Sequence, residues 1–288
     1  MKPLFIFIYL LPFYSFGQVI KFREYKSGET FKYRLTTEVY RNDKFASKTV
    51  SVCGHHVIKN GSLFSEELKW LQKTSFTAKD TVLLDSIAQK IQPYTISLSP
   101  KSKVLLPRLT VPEMTGDITD LNTFYVALSP ALNAQKLTSD KPVFINEQLI
   151  QGNFADGIEV LEGTDCLQVT QQLISTNKQY SVVETKFTSP PAFCLTPLLD
   201  SIGRKSFDQY NNIQFVRKGE GDKVNLFWGV ESFTITSKIN NANGQLIEAS
   251  MTNHLNLRMR YNASKDLKTY AIEMPITIKR TLQLELIK

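Results

Sequence analysis

From Ile247 to Leu286 the side chains alternate in character with a period of two. Ile247, Ala249, Met251, Asn253, Leu255, Leu257, Met259 and Tyr261 form one row; Glu248, Ser250, Thr252, His254, Asn256, Arg258, Arg260 and Asn262 form the other. After Ala263-Ser264-Lys265-Asp266 the pattern resumes, with Tyr270, Ile272, Met274, Ile276, Ile278, Leu282, Leu284 and Leu286 on one parity. Successive side chains of a strand point to opposite faces, so this pattern demands a long antiparallel hairpin with one dry and one wet face. A strand of sixteen residues (Ile247 to Asn262) runs to about 50 Å at roughly 3.3 Å per residue, and a sheet that long must bend or bulge. The rows have flaws. Asn253 and Arg280 stand in apolar rows. With Tyr261 set opposite Tyr270, Arg280 faces Met251 and Asn253 is its diagonal neighbour. A buried Arg is costly unless paired. Either the row opens there onto a groove, or Arg280 is a bulge or guards the sheet against edge pairing, the reading preferred here. Pro275 lacks a ladder donor and marks an edge strand or a bulge. Asn253, Arg258, Arg260 and Arg280 are the residues expected to meet a ligand or partner.

Upstream, Lys26-Ser27-Gly28-Glu29 turns into a strand with Phe31, Tyr33, Leu35, Thr37 and Val39 on one side. Asn42-Asp43-Lys44 and Asn60-Gly61 are the next turns. Leu63 to Lys73 suits a helix or a strand, and Asp80 to Gln92 suits a short helix. The best helical region lies near 117–137. Asp117 or Thr119 would cap it, and Ile118, Leu121, Phe124, Tyr125 and Leu128 form its apolar stripe. This block is a connector or a packing layer between a first β-rich half (18–112) and a second (141–288). Asn243-Gly244 is the strongest hairpin turn and delivers the chain into Ile247.

Lys2 followed by the apolar run Leu4 to Phe16, with Ser15 and Gly17 at the positions a signal peptidase reads, predicts a signal peptide over 1–17. The run is short for a membrane span of about 20 residues, and no later stretch is long enough. Cys53 is the first cysteine, too far on for a lipid anchor. The expected location is the periplasm or the outer-membrane surface. The net charge is +7, concentrated at the ends: residues 18–60 hold nine basic and four acidic side chains, residues 251–288 seven and three. That suits a solvated basic face or an anionic surface; nucleic acid is a poor partner for an exported chain with no binding module. Cys166 and Cys194 are the more plausible disulfide, with buried free thiols as the alternative.

Catalytic motifs are missing. Gly219-Glu220-Gly221 reads as a hairpin turn, and three His residues leave few candidates for His-dependent nucleophilic catalysis. Cys53 and His55 share a strand face, but their spacing is not that of a metal site. No cofactor is expected. The Lys26 to Tyr33 strand, the signal segment and the long alternating C-terminal strands together resemble uncharacterised exported β-rich proteins of Gram-negative envelopes, whose sheets look like the half-open barrel of lipoprotein carriers. The resemblance is architectural and implies a curved antiparallel sheet with helices on its concave side. The expected fold is therefore mainly β: one long curved sheet or half-open barrel, or two related halves. The expected function is a non-catalytic binding or accessory subunit of an envelope assembly, with an envelope protein or lipid as partner. The alternatives are a periplasmic carrier of an apolar ligand and a carboxylate-dependent hydrolase.

Overall fold

The computed structural model describes residues 18–99, 107, 109–129, 136–147, 150–153, 160–163, 167–188, 195–197, 213–264 and 268–287. The signal segment, and Cys166 and Cys194 with their expected disulfide, lie outside the described residues. In chain order come β1 (Gln18–Val19), β2 (Thr30–Arg41), β3 (Lys44–Asn60), β4 (Leu63–Phe76), β5 (Thr81–Leu83), the single turn α1 (Asp85–Ala88) and β6 (Tyr94–Ile96). A 3-10 turn, Pro112–Met114, leads into α2 (Thr115–Ala127). Next are β7 (Lys136–Leu137), β8 (Val143–Glu147), β9 (Ile150–Asn153), β10 (Val160–Gly163), β11 (Leu167–Thr176), β12 (Tyr180–Thr188), β13 (Leu195–Pro197) and β14 (Ile213–Lys218). Three long strands end the chain: β15 (Val224–Asn240), β16 (Leu246–Ala263) and β17 (Ile272–Ile287).

Twelve of these strands form one antiparallel sheet, in the order β5-β4-β3-β2-β17-β16-β15-β12-β11-β8, with β14 also on β15 and β6 also on β4. Its two ends do not pair among the described residues, so the sheet is open. Because β17 pairs with β2, the sheet runs without a break from the N-terminal half into the C-terminal half. The alternation read from sequence holds along β16: Ala249, Met251, Asn253, Leu255 and Leu257 are buried, while Glu248, Ser250, Thr252, His254, Asn256 and Arg258 are exposed. It fades at the far end, where Met259 is half-buried and Tyr261 exposed. The hairpin register differs from the expected one by two residues. Tyr261 faces Ile272, and Asn253 stands directly opposite Arg280. The connection is longer than a tight turn, with Ala271 N–H reaching back to Tyr261 C=O at 3.0 Å.

Turn chemistry was legible. Asn42 and Asp43 both take left-handed φ, 48° and 62°, as a type I′ hairpin requires. Gly244, at φ +69°, lets the N-terminal segment lie across the β15–β16 turn. A Cβ there would come within 2.4 Å of Phe22 C=O, and Glu24 N–H bonds Asn243 C=O at 2.8 Å. Other local signals lost to sheet pairing. Leu63 to Lys73 is strand, not helix, because β4 pairs with β3 along its length. The helix expected over 80–92 shrinks to one turn, because Thr81 to Leu83 pair with β4 as β5.

Two stretches of open edge, along β4 and along β17, are blunted. Along β4, the stretch between β6 and β5 is closed by Leu84 N–H on Lys73 C=O (2.7 Å), the Asp85 carboxylate accepting from Lys73 N–H (2.9 Å) and the Gln89 amide on Leu71 C=O (3.2 Å). Along β17, pairing with β2 stops at Ile278, and Asn42 then takes both main-chain groups of Thr277. By alternation the next residues facing that open edge are Pro275, which has no N–H, and Glu273. This is how sheets resist strand addition.

The concave face is filled by α2. Ile118, Leu121, Phe124, Tyr125 and Leu128 pack with Tyr33, Leu35, Leu68, Trp70, Met251, Leu282 and Leu284 in one core. At about 1.5–3 kcal/mol per fully buried large side chain, the apolar stripe of α2 contributes on the order of 10 kcal/mol of gross burial. Placing a charge in the inner row should unfold the chain, whereas the same charge one residue on should be tolerated. Met251→Asp is expected to abolish the cooperative thermal transition and Thr252→Asp to leave it in place; equal behaviour of the two would refute the assigned faces.

Candidate functional site

The polar residues of the concave face converge on α2. The helix starts at Thr115, earlier than its sequence signals indicate, so Asp117 does not cap it. The N-cap position is Met114, which makes no side-chain capping bond. Asp117 and Asp120 instead lie on the buried face among the apolar stripe. Each meets a cation from the sheet. Lys73 Nζ donates to Asp117 Oδ2 and, at 2.5 Å, to Glu113 C=O, while Ser51 Oγ donates to Asp117 Oδ1 at 2.5 Å. Arg280 Nη2 donates to Asp120 Oδ2 at 2.5 Å, and Thr37 Oγ1 donates to the same oxygen at 3.2 Å.

Lys73 faces inward because of a bulge. Val52 pairs with Gln72 but Cys53 with Trp70, so Leu71 is an extra residue that flips the parity of β4. Without it Gln72 would face the helix. Arg280 needs no bulge, since it sits in the inner row of β17 in regular register with Asn253. Asn253 is buried, and its Nδ2 donates to Glu231 Oε1 at 2.7 Å. Burial pushes the carboxyls of Asp120 and Glu231 above their ordinary values. Burial also works against the charge of Arg280, but Asp120 and Glu231 outweigh it and the guanidinium is held more firmly protonated than usual. Arg280 is thus neither an unpaired guard nor the lining of an empty groove; it is the sheet's half of an ion pair with the helix.

A second cluster lies nearer the other end of α2. His55 Nδ1 is 2.7 Å from Glu66 Oε2, and Tyr125 Oη donates to the same oxygen at 2.6 Å. Phe31 and Tyr125 stack on the imidazole at 5.0 and 5.9 Å. Burial and the Glu66 carboxylate push the Tyr125 hydroxyl well above its ordinary value. Cys53 lies on the same face, as expected, but burial and Glu66 keep its thiol protonated, which suits neither a nucleophile nor a metal ligand. His56 and His254 are exposed on the outer face.

The four residues expected to bind therefore separate into two pairs on opposite faces. Asn253 and Arg280 face α2. Arg258 and Arg260 face outward and clamp one carboxylate: Arg258 Nη2 lies 2.6 Å from Glu273 Oε1 and Arg260 Nε 2.6 Å from Glu273 Oε2. The hydrogen bond from Arg260, aided by Arg258, holds the Glu273 carboxyl below its ordinary value. Sequence reasoning missed Lys73, Glu66, Asp120 and the half-buried Glu231, and read Asp117 only as a helix cap. For Asp117 and Asp120 a signal existed: they sit one residue before Ile118 and Leu121, on the edge of the apolar stripe.

No protein-family model matches the chain, and no curated protein matches it in sequence. Among solved structures, lipovitellin is similar over 92% of this chain at 10% identity and a TM-score of 0.41, and the chain spans about a quarter (26%) of its length. OmpT, an outer-membrane protein of Vibrio cholerae, is similar over 91% of this chain and 100% of its own, at 8% identity and a TM-score of 0.22. A LolA superfamily protein of Nitrosomonas europaea is similar over 91% and 85%, at 11% identity and a TM-score of 0.15. All are distant likenesses of architecture and carry no inference about activity.

Removing one member of a buried pair strands the other. Arg280→Met should cost about 3–5 kcal/mol in chemical denaturation, and adding Asp120→Leu should restore most of it. A double variant as unstable as the single one would show that the pair is not the source. Glu231 gives a pH test. Its carboxyl is raised in the fold, so its charged form costs stability that is absent below the unfolded value (ordinarily 4.5) and full above the folded value. Glu231→Gln should leave the Tm unchanged near pH 4 and raise it near pH 8; a fall at pH 8 would show that the carboxylate is net stabilising.

Proposed function

We propose that the chain is a non-catalytic exported protein, a binding or accessory subunit of a periplasmic or outer-membrane assembly. The observation that carries this reading is that the ionisable groups of the concave face are already engaged. Lys73, Asp117, Asp120 and Arg280 hold α2 to the sheet, and His55 and Tyr125 share Glu66. A catalytic group must be free to touch a substrate, and these are not. A carboxylate hydrolase would need Asp120 or Glu231 released from Arg280 or Asn253. Export rests on the N-terminal run Leu4 to Phe16. No helix among the described residues is long and apolar enough to cross a membrane.

The carrier reading has one observation in its favour. In the apolar inner row Leu255 and Leu257 are buried, while Ile276 and Ile278 opposite them stay half-buried and offer a surface to an acyl chain. Native mass spectrometry of the chain purified from its own envelope separates the two. A protein partner at fixed stoichiometry supports the accessory role, and lipid bound one-to-one supports the carrier. A chain that elutes with neither overturns both.

A further inference from the structure

β15, β16 and β17 extend beyond β2 and β12, with β14 beside β15 along the extension. β2 leaves β17 at Ile278, and β12 leaves β15 at Ser232. On this extension the inner apolar row comes into the open. Leu255 and Leu257 are 9% and 3% exposed, but Met274, Ile272 and Tyr261 are 38%, 49% and 45% exposed. They share one face, because Tyr261 stands opposite Ile272 and Met259 opposite Met274. The other face of the same tip carries Arg258 and Arg260 with Glu273, beside Leu226 and Trp228. Arg258 is 61% exposed at its side chain, Arg260 stacks at 4.3 Å on Tyr270, and Glu273 is spent on both guanidinium groups. Lys223 and Lys268 are exposed at the end of the strands, against Glu220 and Asp222.

We propose that this tip docks on an anionic lipid surface. Tyr261, Ile272 and Met274 would enter the boundary between headgroups and acyl chains, with Arg258 and Lys268 at headgroup level. Three features select this occupant. An apolar strip ending in Tyr261, with Arg258 and Arg260 on the reverse face of the same strands, has the composition of an interfacial element. The open edge beside it offers Pro275, which denies main-chain pairing to an added strand or a second copy. The net charge of +7 favours an anionic surface and opposes self-association. The proposal rests on the envelope placement proposed above and names the surface on which such a subunit would work.

The test uses the full chain with Ile272→Trp and vesicles of brominated phosphatidylglycerol mixed with phosphatidylcholine. Trp70 is buried and Trp228 lies beside Arg260, so the parent chain supplies the background signal. The introduced tryptophan should shift to the blue and be quenched by the anionic vesicles, and neither change should occur with brominated phosphatidylcholine alone. Raising salt from 0.1 M to 1 M shortens the Debye length from about 10 Å to about 3 Å and should release the tip. Ile272→Asp with Met274→Asp should lower cosedimentation about tenfold or more while leaving the Tm in place, because both side chains are already wet. An unquenched tryptophan in a chain that still cosediments would put the contact elsewhere and overturn the proposal. So would equal quenching by neutral lipid, or a blue shift without lipid that grows with protein concentration, the mark of a second copy. The vesicles contain no protein, so this failure would leave the accessory reading standing, and loss of that reading would leave this result intact.

Discussion

The placement of α2 against the sheet depends on two ion pairs, Asp117 with Lys73 and Asp120 with Arg280. Taking such pairs out of water costs about as much as their attraction returns, so they add little net stability. Stability comes from the apolar stripe, which makes non-directional contacts and would tolerate several helix positions. The ion pairs are directional. Asp117 reaches β4 and β3 while Asp120 reaches β2 and β17. That leaves one rotation and one translation of the helix. A shift by a single turn would strand two carboxylates and two cations in the core.

The same helix decides what the curved sheet can do. A half-barrel with an empty concave face would be a vessel; here α2 fills it from β4 across to β11, where the Gln171 amide meets Ala127 C=O at 3.0 Å. With the inner face occupied from β4 to β11 and the edges of β4 and β17 closed by α1, Asn42 and Pro275, the surfaces left for recognition include the outer face and the strand ends, where the inner row opens at Tyr261, Ile272 and Met274. The sheet is a rigid support for its own extension.

Much of this was written locally. The alternation in 247–286 set the faces of β16 and β17, Asn42-Asp43 marked the β2–β3 turn and Asn243-Gly244 the β15–β16 turn, and Ile118, Leu121, Phe124, Tyr125 and Leu128 marked the buried side of the helix. Leu63 to Lys73 was ambiguous, because a short apolar run fits both periods until its partner strand is known. Asp117 resembled a cap, because acidic residues at a helix start are ordinarily solvated. Only its contact with Lys73, brought inward by the bulge at Leu71, gives it another role.

The sequence by itself determined that the chain is a long-stranded antiparallel sheet protein with a helix bearing an apolar stripe and with Arg280 in an apolar row, since periods of two and of 3.6 residues are properties of the local backbone. The tertiary structure decided what Arg280 is for. Its partner lies 160 residues away in sequence, on a helix whose rotation no local period specifies. It also set Asn253 directly opposite Arg280. The register of a hairpin, and the length by which it overhangs its neighbours, are set by pairing between distant strands.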